Sequence, residues 1–198
     1  MRTSLKLIGG KKIESPISDK TRPTTLMVRE ALFNILNVDV DYSNWLDLFS
    51  GTGSISCEAY NHGAKKIVAV EKDHKSAQLC KKNLFSLKDA QSRENDIYVI
   101  CKDVFSWIKS NSKGNISEDK NFGNIQFNYI YIDPPYKNNF YEILLQKLFN
   151  SKLISRQTIV ICEHSKQQRI QENSLWQITD KRSYGQTHLT FLIKVQHT

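Results

Sequence analysis

A doubly wound α/β fold, built on a mostly parallel Rossmann-like sheet with an antiparallel hairpin at its end, is predicted by three observations. Between Trp45 and Cys162, five short β-branched and aliphatic runs alternate with four segments of helical periodicity. Each connection is long enough for the right-handed crossover that joins parallel strands. Past residue 175 the pattern changes to two alternating runs that meet near Gly185 with no helix between them, as antiparallel strands do.

In chain order, "LKLIGGKKIE" (residues 5–14) is two short alternating runs around Gly9-Gly10, a hairpin with a basic exposed side. Thr24 or Thr25 can cap a helix in which Val28, Leu32, Ile35 and Leu36 recur at helical spacing. Strand "WLDLF" (45–49) follows, then helix "SISCEAYNHG" (54–63) closed by Gly63, strand "KIVAVE" (66–71) and helix "DHKSAQLCKKNLFSL" (73–87). Strand "DIYVIC" (96–101) and helix "VFSWIK" (104–109) come next. The polar stretch 109–126, rich in Asn, Ser, Lys and Gly, reads as a mobile surface insertion. Strand "FNYIYI" (127–132), helix "FYEILLQKLFN" (140–150) and strand "QTIVIC" (157–162) complete the alternation. Residues 1–44 are thus expected to form a basic hairpin-and-helix extension, and residues 45–198 the main domain.

A net charge of +8 points to a polyanionic partner, nucleic acid first. Six Lys/Arg against two Asp/Glu fall in residues 1–22, so half of the excess lies at the front, where Lys6, Lys11, Lys12 and Arg22 are the candidate phosphate contacts. The four cysteines form no C-x-x-C pair and read as reduced core thiols. The five histidines have no ligand spacing, so no metal is expected. No apolar run approaches a membrane span and the start lacks a signal-peptide block, so the expected setting is the cytoplasm, away from membranes.

In an open parallel sheet, ligands bind beyond the carboxyl ends of the strands, and those positions carry the chemistry here. After the first strand, Gly51 and Gly53 in "DLFSGTGS" allow a tight turn and close backbone approach before a helix N-terminus. Gly51-x-Gly53-x-x-Ser56 resembles a dinucleotide fingerprint with Ser in third position, but a plain strand-to-helix turn has the same form. Glu71 ends the second strand 20 residues on, where a carboxylate can accept both hydroxyls of an adenosine ribose. After the third strand, Asp103 can accept from an adenine amino group with Val104 packing on the ring, or simply cap a helix.

The fourth strand ends in Asp133-Pro134-Pro135-Tyr136. Two prolines stiffen the backbone and remove two donors, leaving carbonyls free beside the carboxylate, with an aromatic ring as a lid. An acceptor-only pocket of this kind suits a planar exocyclic amine, whose two N–H groups would bond Asp133 and the Pro134 carbonyl while Tyr136 stacks on the base.

"DPPY", "DLFSGTGS" and the acid ending the second strand resemble the S-adenosylmethionine-dependent amino-methyltransferases. With "RPTTLMVREALFNIL", "GAKKIVAVEKD" and the terminal "KRSYGQTHLTF", the chain resembles the bacterial 16S ribosomal RNA guanine-N2 methyltransferases over nearly its whole length. That resemblance implies S-adenosylmethionine as cofactor, with Gly51 and Gly53 at its methionine portion, Glu71 at the ribose and Asp103 and Val104 at the adenine. It also implies Asp47, Phe49 and Lys72 in the same site, Thr24 and Arg29 near its entrance, and Asp133 to Tyr136 on the target base. The implied partner is 16S ribosomal RNA, free or within an assembling small subunit. The chain departs from the family at the front, where "GGKKIES" stands in place of an Arg-rich "G-x-x-R-G-R-x-L", and lysine lacks the bidentate fork of arginine.

Three rivals are weighed at this level. A DNA adenine-N6 methyltransferase would use the same acceptor pocket, but the 44 residues before the main domain offer little for reading a groove. A non-catalytic RNA-binding module would not need the cofactor residues at all. A nicotinamide oxidoreductase would leave the Asp133 to Tyr136 segment idle.

Overall fold

The structure, a computed structural model, describes residues 2–16, 24–91, 95–112, 125–135 and 140–195. Strands β1 (Arg2–Lys6) and β2 (Lys12–Pro16) pair antiparallel as a separate two-stranded sheet. Helix α1 (Leu26–Leu36) follows, capped by Thr25, whose hydroxyl accepts from the Val28 N–H.

The main sheet alternates with helices as expected: β3 (Asn44–Leu48), α2 (Ser54–Asn61), β4 (Lys66–Glu71), α3 (His74–Gln91), β5 (Asp96–Cys101), α4 (Val104–Ser112), β6 (Phe127–Ile132), α5 (Phe140–Phe149) and β7 (Ile154–Ser165). Strands β8 (Trp176–Tyr184) and β9 (Thr187–Lys194) form the closing hairpin. The seven strands lie in the order β5-β4-β3-β6-β7-β9-β8, parallel from β5 to β7, with β9 antiparallel to β7 and β8 on the edge. The chain moves outward from β3 to β5 and then returns to place β6 on the other side of β3. That reversal puts the topological switch point between the carboxyl ends of β3 and β6.

Period-2 alternation sends the two faces of each strand into two cores. Trp45, Tyr129, Tyr131 and Ile161 face the layer of α1, α2 and α3, while Leu46, Leu48, Ile130, Ile132 and Cys162 face α4 and α5. Leu7, Ile13, Val28, Leu32 and Phe33 belong to the first of these cores. The hairpin and α1 therefore share the main domain's hydrophobic interior, across the boundary expected at residue 44.

Several boundaries differ from the sequence expectation, each for a packing reason. The hairpin strands stop at Lys6 and resume at Lys12, so Gly9-Gly10 sit in a longer loop, because the Leu7 side chain is turned into the core. Helix α3 runs on to Gln91, carried by the buried Leu84 and Leu87. Helix α4 continues to Ser112, four residues into the stretch expected as an insertion, with Asn111 buried and donating to the Trp107 carbonyl. Residues 113–124 of that stretch lie outside the described residues. Strand β7 is longer at both ends than 157–162 and carries Glu163 and His164 to the sheet edge. No helix among the described residues is long and apolar enough to cross a membrane.

Candidate active site

The turn after β3 is strained and tightly placed. Phe49 adopts φ 68°, a left-handed conformation costly for a bulky residue, and its N–H and that of Ser50 both donate to the Val70 carbonyl at 3.0 and 3.1 Å. Gly53, at φ 81°, lies so close to α3 that an added Cβ would sit 2.5 Å from Cys80 Sγ. Gly51, at φ 54°, has no atom within 4 Å of where its Cβ would be, so the front of the turn opens onto free space.

Glu71 faces this turn from the end of β4. One carboxylate oxygen accepts from the Gly51 N–H at 2.9 Å and the other from the Asp73 N–H at 2.7 Å. A carboxylate offers about four lone-pair positions, so two remain for a ligand. Lys72 follows, exposed. Asp103 caps α4, its Oδ1 accepting from Ser106 N–H at 3.0 Å, which leaves Oδ2. The Val104 side chain is buried in the α4/α5 core. Beside it, Phe140 packs on both Phe49 (5.3 Å between centroids) and Phe105 (4.9 Å), an aromatic wall that the sequence reading did not name beyond Phe49.

Across the switch point, three carboxyl groups approach one another. Asp47 points from β3 toward α2, 2% exposed, and accepts from Ser56 Oγ at 2.5 Å. Burial raises its pKa from 3.8 to about 7, the Ser56 hydrogen bonds opposing and Glu71 and Glu163 adding to the rise. Asp133 leaves β6 with its N–H on the Leu48 carbonyl at 3.5 Å, next to the buried Pro134 and the exposed Pro135. Burial first, then Glu163 and Asp47, push its carboxyl well above the ordinary range. Glu163 is raised as well by burial, although its Oε2 accepts from the Thr24 hydroxyl at 3.0 Å and from the Tyr131 hydroxyl. Three acids with so little opposing charge create a negative potential that rewards a cation and favours neutral carboxyls without one.

Glu163 and Tyr131 were missed by the sequence reading. An acid ending a parallel strand was the signal used for Glu71, and it was available for Glu163 once β7 was allowed past Cys162. Thr24 is buried against Glu163 and so belongs to this group. Arg29 is spent inside the protein: its guanidinium donates to Glu58 at 3.1 Å, to the Thr24 carbonyl at 2.6 Å and to the Lys6 carbonyl at 2.5 Å. It ties the hairpin and α1 to α2. Lys6 and Lys12 are exposed on the hairpin and Lys11 is half-buried. Tyr136 and Arg22 lie outside the described residues. Among the described residues no cluster of His, Cys, Asp or Glu could hold a metal ion.

Residues 5–193 match the family described as conserved hypothetical protein 95. The ribosomal RNA small subunit methyltransferase D of Haemophilus influenzae is 27% identical over 176 residues, spanning 89% of this chain and 84% of that protein. The protein of the same name from Buchnera aphidicola is 28% identical over 180 residues, again 89% and 84%. An Escherichia coli structure named as the methyltransferase yhhF superposes with a TM-score of 0.77 at 23% identity, covering 97% of this chain and 98% of that one, a likeness of fold.

Proposed function

The chain belongs to the family described as conserved hypothetical protein 95, and we propose that it transfers a methyl group from S-adenosylmethionine to the exocyclic N2 of a guanine in 16S ribosomal RNA. The observation that carries this reading is the convergence at one sheet edge. The Gly51 turn, Glu71, Asp103 and Asp133-Pro134 end four neighbouring parallel strands around the switch point. The names of the relatives support RNA of the small subunit as the substrate.

The chain's groups fit the cofactor. The open face of Gly51 leaves room for a ligand against the backbone, and Glu71 keeps acceptor capacity for ribose hydroxyls. Asp47, Asp133 and Glu163 supply a field suited to a positive charge. S-adenosylmethionine, when bound, supplies a methyl carbon on a cationic sulfur, poised for displacement.

Asp133 and the Pro134 carbonyl hold the two N–H groups of the amine, turning the nitrogen toward that carbon, and Tyr136 covers the base. An aromatic amine is too weak an acid for a carboxylate to ionise beforehand. Its proton therefore passes to Asp133 or solvent only as the new C–N bond forms and positive charge grows on nitrogen. The hairpin cations Lys6, Lys11 and Lys12 contact RNA phosphates from the α1–α3 side and Arg22 adds a further phosphate contact, so residues 1–44 serve as an RNA-binding extension of the 45–198 methyltransferase domain. No metal takes part in this reading, and the work is done in the cytoplasm, where small subunits assemble.

The test is base-resolved mapping of methyl groups after incubation with S-adenosylmethionine and either transcribed 16S ribosomal RNA or small-subunit particles lacking the modification. A single N2-methylguanine in either substrate is expected. Methylation of adenine N6 in duplex DNA, and none in RNA, would establish the rival activity.

A further inference from the structure

A second basic surface opens where β7 leaves the sheet, on the face opposite the N-terminal hairpin. A cleft of about 270 Å³ is lined there by Lys166, Arg169, Lys181, His164, His188 and Thr190, together with uncharged neighbours. No Asp or Glu lines it. Lys166, Arg169 and Lys181 are exposed, and among the described residues none of the three is held in an ion pair.

The floor of the cleft is rigid. Register places His164 opposite His188 and Lys181 opposite Thr190, so strands β7, β9 and β8 bring these side chains to one face. The His164 ring stacks on His188 at 5.6 Å and meets the edge of Tyr141 at 6.1 Å. Its Nδ1 lies 3.0 Å from the Ser165 carbonyl, to which it can only donate, so its Nε2 accepts from Thr190 Oγ1 at 2.9 Å. Burial lowers the His164 pKa, and the cationic donors are the lysines and the arginine.

The cleft adjoins the site already described. Glu163 and His164 are consecutive residues pointing to opposite faces of β7, and Tyr141 touches both, donating to the Glu163 carbonyl and packing on the His164 ring. Helix α5, which carries Tyr141, begins at Phe140, just past the Asp133 to Tyr136 segment.

We infer that this cleft binds backbone phosphate of the RNA whose base enters the site, so that the substrate is gripped on both sides of the sheet edge. This rests on the RNA methyltransferase reading. Three unpaired cations around a polar concavity match a phosphate's charge and acceptor oxygens, and the Arg169 fork can take two of those oxygens at once. Anchoring the backbone beside the pocket fixes the flipped base's approach, a positioning role separate from the chemistry.

The test compares three proteins by fluorescence anisotropy with labelled, transcribed 16S ribosomal RNA across a salt series. They are the wild type, a cleft variant (Lys166→Ala, Arg169→Ala, Lys181→Ala) and a control of equal charge loss at the opposite sheet edge (Lys65→Ala, Lys152→Ala, Arg156→Ala). The cleft variant is expected to flatten the log Kd against log salt slope by about 1–3, at roughly 0.7–0.9 per phosphate lost, and the control by less than half as much. S-adenosylmethionine affinity should be equal in all three. Equal slope changes in the two variants would overturn the inference, and so would a loss of cofactor affinity in the cleft variant, which would put the three cations at the cofactor. Wild-type methylation of the same RNA is measured separately. Its absence would sink the functional reading, while the slope comparison still judges the cleft.

Discussion

Replacing Arg29 with alanine should destabilise the whole protein. Its guanidinium is 1% exposed and lies 3.1 Å from Glu58, which is 0% exposed. The same Glu58 oxygen accepts from the Ile8 N–H at 2.9 Å, and its other oxygen has no partner. Truncation strands a buried carboxylate and removes the donors of two carbonyls, Thr24 and Lys6. Breaking one side of a buried pair costs about 3–5 kcal/mol. That is a large part of the roughly 5–15 kcal/mol that holds a domain folded, and it corresponds to a melting point lower by about 10 °C in a chain of this size. Urea unfolding of Arg29→Ala and of the double variant Arg29→Met with Glu58→Leu measures it. The double variant should recover most of the loss, since no charge is then left unpaired. A loss under about 1 kcal/mol, the range of an exposed pair, would refute the clamp. If stability held while S-adenosylmethionine affinity fell tenfold, the cofactor-side role first expected of Arg29 would stand instead.

Three further outcomes follow from the site. Glu71→Ala should weaken S-adenosylmethionine binding by about 1.5–3 kcal/mol, the range for a hydrogen bond to a charged group, and unchanged affinity by calorimetry would make Glu71 only the anchor of Gly51. Gly53→Ala should lower stability by about 1–3 kcal/mol in urea unfolding, through a strained φ and overlap with Cys80; wild-type stability would mean that the turn relaxes freely. Asp47 has a folded pKa of about 7 against an ordinary 3.8. Its contribution to stability is therefore complete below about pH 4 and lost as pH rises toward 7, about 4 kcal/mol at 1.36 per decade. Asp47→Asn should flatten the pH dependence of urea unfolding between those values, and parallel profiles for the two proteins would contradict the shift.

Local periodicity made most of the fold legible: β4, β5 and β6 begin and end where their apolar runs do, because each is bounded by polar residues on both sides. Strand β7 was underestimated because its last residues, Glu163 and His164, are polar. Their burial depends on Tyr131, Thr24, Tyr141 and Thr190 from elsewhere in the chain. Strand-end position alone pointed to Gly51, Glu71, Asp103 and Asp133. It could not reveal that Val104 faces the core, since one apolar residue at a helix start is compatible with either side. Nor could it separate Arg29 as a clamp from Arg29 as a ligand contact, because its partner Glu58 sits 29 residues away on another helix. The cleft beside β7 is an effect of strand register, which brings Lys181 to Thr190 and His188 to His164.

Single-turnover methyl transfer to 16S ribosomal RNA by the wild type, Asp133→Asn and Asp133→Ala, with cofactor affinity measured alongside, tests the central claim most directly. Burial first, then Glu163 and Asp47, raise the Asp133 carboxyl well above its ordinary range, and asparagine retains an acceptor oxygen in its place. The account predicts methyl transfer to a guanine N2 by the wild type, a loss of about 10²–10³ in the alanine variant, a smaller loss in the asparagine variant, and nearly equal S-adenosylmethionine affinity in all three. No methyl group in RNA or particles from the wild type, or an alanine variant as fast as the wild type, would contradict it.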